Sequence, residues 1–250
     1  MVTRTEKAKA RIGEALRTYP AILQEAKRRN TNESDTSGIV HDMLGDVLGY
    51  DKHFDVTGEY KVRGQYVDYA LKLKDQVKFL VEVKAVGIAL NPNHLRQITT
   101  YAVNEGVEWV ILTNASIWQV YHIGFEKPIN VDLVFEADAL SEDRASVIDL
   151  LYLVSREGAA RDEIRAYWSD KLALSGPNLA RAVLSDEVID QIRREFKHLT
   201  GYRLSPEEIK RLLLLQVVRP DVAEAIGGSK PPSKPTTGRG RPPETSVPQS

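Results

Sequence analysis

Cysteine is absent from the 250-residue chain. A disulfide scaffold, a cysteine-ligated zinc, an iron–sulfur cluster and a thiolate nucleophile are therefore excluded. No apolar run approaches the roughly 20 residues that a membrane span needs. The opening MVTRTEKAKARIGEAL lacks the apolar segment of a secretory signal, so an aqueous, cytoplasmic setting is expected. A surplus of one charge sign is also missing. Lys and Arg number 34 against 35 Asp and Glu, a formal net charge of -1. The chain as a whole is thus no uniformly basic nucleic-acid binder. No Gly-x-x-x-x-Gly-Lys-Ser/Thr phosphate loop occurs, which excludes a P-loop motor within these residues.

What is present suits a folded protein. Apolar residues make up 42% and charged residues 28%, enough for a core without metal or disulfide staples. Residues 1–30 carry eight Lys/Arg and three Asp/Glu, and residues 31–60 reverse the balance with seven acids against Lys52. Ile12, Leu16, Tyr19 and Leu23 recur at helical spacing. A second helix is expected after a Thr31 or Asn32 cap, with the stripe Ile39, Val40, Met43, Leu44, Val47, Leu48 and a stop at Gly49. Strands are expected over about 53–85, then a helix from Asn91-Pro92 to Gly106. Strands follow at 107–113, at 117–123 and near 131–135. From about 140 to 226 the pattern is helical, with Ser205-Pro206-Glu207-Glu208 as a capping box. The expected architecture is α/β: a mixed sheet flanked by helices, then a small helical domain of four or five helices.

The segment QYVDYALKLKDQVKFLVEVKAVG carries the chemistry. Its odd positions Val67, Tyr69, Leu71, Leu73, Val77, Phe79, Val81 and Val83 are apolar. Its even positions include Asp68, Lys72, Lys74, Lys78, Glu82 and Lys84. Such alternation predicts two strands with one buried face. A turn centred on Asp75 sets Asp68 opposite Glu82 on the other face, with Lys84 one step along. Opposed carboxylates repel, and a divalent cation relieves them. Mg²⁺ or Mn²⁺ suits two carboxylates with positions left for water and a phosphate oxygen. The lysine can hold or deprotonate attacking water and stabilise developing charge. The bland alternative is a solvated hairpin face with favourable unlike charges. Gln97 and Tyr101, at i and i+4, share a helix face, while Leu95, Ile98 and Ala102 take the packing face.

The ordered set NESDTSGIVHDMLGDVLGYD, YVDYALKL, FLVEVKAVG and LRQITTYAVNEGVEWVILTNASIWQVY resembles the N-terminal nuclease domain of type I restriction enzyme R subunits, in the PD-(D/E)xK superfamily. The resemblance covers about residues 31–121. It implies a restriction-endonuclease-like core that cleaves DNA with Mg²⁺ or Mn²⁺. Glu33, Asp68 and Glu82 would arrange metal, and Lys84 would be the catalytic lysine. Gln97 and Tyr101 match the Q-x-x-x-Y motif beside such sites. Val67 stands where the motif name has proline.

Three segments are expected: a nuclease domain at 1–138, a helical domain at 139–226 and a disordered tail at 227–250. The tail holds six of the twelve prolines. Its Gly238-Arg239-Gly240-Arg241-Pro242 looks like the core of an AT-hook, in which Arg239 and Arg241 would enter a narrow minor groove. A solubilising linker is the plainer reading of the same residues. DNA is the expected partner, with any motor or defence-system protein separate, no membrane, and a homodimer left open. The competing reading is a catalytically silent module that binds nucleic acid or protein. RNA as substrate is not separated from DNA.

Overall fold

The computed structural model describes residues 3–62 and 65–227. Helix α1 (Arg4–Arg28) starts at a capping box between Thr3 and Glu6. It buries Ile12, Leu16, Tyr19 and Leu23, the stripe expected from the spacing. Helix α2 (Glu33–Asp46) is capped by Asn32, whose side chain accepts the Asp35 N–H at 2.8 Å. Six strands follow: β1 (Val56–Val62), β2 (Gln65–Leu73), β3 (Gln76–Val83), β4 (Trp109–Thr113), β5 (Ile117–Gly124) and β6 (Asn130–Asp138). They form one sheet in sequence order. Only β3 and β4 run parallel. A parallel step needs a crossover, and helix α3 (Leu95–Glu105) supplies it after a 3₁₀ turn at Pro92–His94. Gly106, at φ 67°, ends α3 in the left-handed conformation that glycine adopts at least cost.

Both faces of the sheet are buried. One packs Leu71, Phe79, Val81, Val83, Ile111 and Trp118 with the apolar stripes of α1 and α2. The other packs Ala70, Leu80, Val110, Leu112 and Ile123 against Leu95, Ile98 and Ala102 of α3. The even-numbered face of the hairpin is therefore no open surface. It is a second core with polar groups at one end.

The hairpin alternation is interrupted twice. Lys74 and Asp75 form the turn, both at positive φ (49° and 65°), and Leu73 pairs with Gln76. The turn is thus a residue pair, not a loop centred on Asp75. A bulge then lets Leu71 pair with Phe79 while Lys72 pairs with Val77, leaving Lys78 as the extra residue. Val77 consequently packs with the α3 core and not with its odd-numbered neighbours. Val67 does the same. Near it, Gly58 pairs with Tyr69 and Tyr60 with Val67, while Glu59 between them sits at φ 46°.

Helices α4 (Arg144–Val154), α5 (Arg156–Ala160) and α6 (Glu163–Ala173) come next. Val147, Leu151, Val154, Ile164 and Trp168 join the core of the α1 face. The chain divides into two compact units between Ser169 and Asp170, so the boundary expected at 138/139 moves about 30 residues on. These helices bury apolar side chains with the sheet, which a change from strand to helical pattern near 140 does not reveal. The second unit holds α7 (Gly176–Val183), α8 (Asp186–Thr200), α9 (Pro206–Gln216) and α10 (Pro220–Ala225). Ala180, Ile189, Ile209 and Ala223 are its buried apolar residues. The Ser205–Glu208 capping box forms as its spacing predicts. Among the described residues no helix is long and apolar enough to cross a membrane.

Candidate active site

The bulge sets the geometry of the site. In a ladder continued from Leu73–Gln76 without it, Asp68 would face Val81. With it, Tyr69 pairs with Val81 as the last pair of the ladder, and the same register continued by one step sets Asp68 opposite Glu82. Asp68 Oδ2 accepts the Val83 N–H at 2.7 Å. The carboxylate thus takes over a strand N–H where the β2–β3 backbone pairing ends. Lys84 lies just past β3, and its N–H donates to the Thr113 carbonyl at 2.8 Å. Its ammonium donates to Glu82 Oε1 at 2.8 Å and lies 3.3 Å from Glu33 Oε1.

Glu33 is the first residue of α2, where a carboxylate suits the positive helix end. Two ties fix that helix beside the hairpin. The Val86 N–H donates to Thr36 Oγ1 at 3.1 Å, and Thr36 itself is fully buried. Tyr69 Oη donates to the Ser37 carbonyl at 2.9 Å and meets Ser37 Oγ at 2.7 Å. Local spacing assigns Tyr69 only to the apolar face and gives Thr36 and Ser37 no role, because each of these ties joins segments distant along the chain.

The third wall comes from α3. Gln97 Nε2 donates to Tyr101 Oη at 2.7 Å, across one helical turn. Tyr101 is buried in the α3 core, whereas Gln97 is exposed. Glu82, Lys84, Asn93, His94, Arg96 and Gln97 line an open cleft of about 460 Å³. His94 also accepts the Asn91 N–H at 3.4 Å, as a helix-start residue would. Thus Asp68, Glu82, Lys84 and Glu33 cluster together, and Gln97 faces the same cleft. Trp109 and Trp118 are core residues. Arg239 and Arg241 lie outside the described residues.

Electrostatics follow from burial. Asp68 has its pKa raised, first by burial and then by Glu33, against the Val83 N–H and Lys84. Glu82 is raised as well, by burial and by Asp68 and Glu33, although Lys84 opposes. Burial works against the Lys84 ammonium, but Glu82 and Glu33 outweigh it and hold the charge on. Three carboxylates share one ammonium, so the cluster carries uncompensated negative charge when ionised.

That charge fits a cation, and two carboxylates with waters suffice for Mg²⁺. Glu82 and Glu33 both contact Lys84, at 2.8 and 3.3 Å, but Asp68 and Glu82 are carried by adjoining strands and Glu33 by the first turn of α2, so the strand pair is the more rigidly held. Among the described residues no group of three or more His, Asp or Glu side chains is arranged to hold an ion. The protein groups would thus supply a minority of the coordination shell. No family model, curated protein or solved structure matches the chain.

Proposed function

We propose that the chain is a metal-dependent nuclease that hydrolyses DNA phosphodiester bonds, on a restriction-endonuclease-like core with no P-loop motor among these residues. The observation that carries this reading is the placement of Lys84 against Glu82, next to the Asp68 carboxylate at the open end of the sheet. Asp68 and Glu82 would hold Mg²⁺ or Mn²⁺, with Glu33 shaping the field through Lys84. When bound, the ion would polarise the phosphoryl group and make nearby water more acidic. The carboxylates fix the polar end of the cleft on rigid strands. Lys84 orients the attacking water and balances charge on the phosphoryl oxygens. Gln97, held by Tyr101, offers the substrate a hydrogen-bonding amide. The setting is bacterial or phage-related defence in the cytoplasm, by analogy with the family resembled.

The test is incubation with circular and linear DNA and with RNA, in Mg²⁺ or EDTA, wild type beside Lys84→Ala. Mg²⁺-dependent DNA cleavage lost in the variant is the expected result. Cleavage that persists in pure Lys84→Ala refutes the role given to the lysine.

One observation favours a silent binding module instead: Lys84 is closed on both Glu82 and Glu33, as in a structural ion-pair cluster. Calorimetric titration separates the two. The nuclease reading requires a Mg²⁺ site that Asp68→Ala removes.

A further inference from the structure

A second cluster of like charge lies far along the chain from the acidic cleft. Helix α8 ends at Gly201, whose φ of 77° reverses the chain into Tyr202 and Arg203 before the Ser205 cap of α9. Arg193, Arg194 and Lys197 stand on the last turns of α8, at spacings that place them on neighbouring rows. The reversal brings Arg203 back to them. These four cations and Leu204 line one hollow of about 350 Å³.

All four cations are exposed. Arg193 lies 3.2 Å from Asp190, and Arg194 donates to the Gln191 side chain at 2.7 Å. Among the described residues, no carboxylate pairs with Arg194, Lys197 or Arg203. Over residues 193–203 the only acid is Glu195. Lys197 in the last turn suits the negative helix end, but that accounts for neither Arg194 nor Arg203. Gathering four cations in a concavity costs repulsion unless an anion enters. Three of the four are guanidinium groups, which match phosphate oxygens two at a time. Tyr202, 73% exposed beside Arg203, presents an aromatic face on which a base can stack.

We propose that this hollow binds the phosphate backbone of a nucleic acid, with Arg194, Lys197 and Arg203 on phosphates and Tyr202 against an unpaired base. The site rests on the nucleic-acid reading of the chain for its ligand, not for any hydrolysis. Phosphate contacts of this kind position a strand without reading its sequence.

The experiment is fluorescence anisotropy with the full chain in EDTA, against a short labelled DNA duplex and its single strand, over a series of salt concentrations. The triple variant Arg194→Gln/Lys197→Gln/Arg203→Gln is compared with a control of equal charge loss, Lys9→Gln/Arg17→Gln/Arg144→Gln, from the surface beside α1. Thermal melts check that each variant folds. The hollow variant should bind about tenfold or more weakly, with a log–log salt slope shallower by about two to three units. The control should match wild type, and Tyr202→Ala should weaken single-strand binding more than duplex binding. Equal losses in both triple variants, or none in the hollow variant, overturn the site. Preferential capture of the chain by phosphatidylserine vesicles, abolished by the hollow variant, also overturns it in favour of a membrane surface. Binding through the hollow with no cleavage in Mg²⁺ leaves this site standing and removes the nuclease reading alone.

Discussion

The Asp68 carboxylate holds the Val83 backbone N–H at 2.7 Å, so an acidic side chain serves as part of the sheet. Structure and charge can therefore be separated at this position. Asp68→Asn keeps an oxygen to accept that N–H and removes the charge. Asp68→Ala removes both and leaves the N–H without its partner. Alanine should cost about 1–3 kcal/mol of stability, and asparagine much less, while both should abolish Mg²⁺-dependent cleavage. Denaturant unfolding beside a cleavage assay checks the split. Equal stability of the two variants would count against the structural role.

Stability should also depend on pH in a defined direction. Asp68 and Glu82 both have folded pKa values above their ordinary range. Each contributes stability that is fully present below the ordinary carboxylate pKa and is lost as pH rises through the raised folded value. In EDTA, Asp68→Asn should therefore gain on wild type as pH climbs from acid to neutral. Added Mg²⁺ should stabilise wild type and leave the variant unmoved. Melting temperatures over a pH series read both effects.

Lys84→Ala should lower the rate constant of cleavage by about a hundredfold or more, the usual range for a positioned proton-transfer group. Lys84→Arg keeps charge but not the compact ammonium, and should recover only part of the rate. Single-turnover kinetics with saturating DNA check this. An unchanged rate in the alanine variant would sink the assignment.

Deleting Lys78 should be tolerated. It is the surplus residue of the bulge, and the pairs on either side, Leu71–Phe79 and Lys72–Val77, close into a regular ladder without it. Asp68 and Glu82 then stay opposed, and cleavage should remain within a few-fold of wild type. Deleting Val77 removes a partly buried side chain from the α3 core and should destabilise the fold. Thermal melts of the two deletions, side by side, decide the point.

His122 lies between Trp109 and Trp168, with ring centroids 5.0 and 5.4 Å away. Burial lowers its pKa, against Glu108 and Asp132 and with help from Arg165. Its contribution to stability is present above the ordinary histidine pKa and is lost as pH falls through the depressed folded value. Acid should therefore destabilise wild type more than His122→Gln. Tryptophan fluorescence should change in wild type over the same range and stay level in the variant.

Much of the fold can be read from local patterns. Ile12 to Leu23 mark the buried face of α1, Asn91-Pro92 and Gly106 bracket the crossover turn and helix, and Ser205 to Glu208 open α9. The approach of Asp68 to Glu82 follows from alternation, yet for a partly different reason. The two-residue turn and the bulge offset one another, and a bulge is chosen by which face Phe79 and Val81 must fill. Val67 and Val77 show the limit of the method, because two apolar faces make parity ambiguous. The unit boundary after Ser169 and the ties through Thr36 and Tyr69 depend on partners distant in sequence, which local spacing does not encode.

The parallel step between β3 and β4 has a lasting effect on how this region tolerates change. Because the chain must travel back along the sheet, the crossover helix begins where β3 stops, and its first turn is delivered above Lys84. Residues gained or lost near Gly106 would be absorbed at the remote rim. A residue added between Lys84 and Asn91 would likewise be taken up by the connecting loop, because Leu95, Ile98 and Ala102 fix which side of the helix meets the sheet, whereas one added inside the helix between Leu95 and Gln97 would turn the amide away from the lysine and set the packing stripe out of phase.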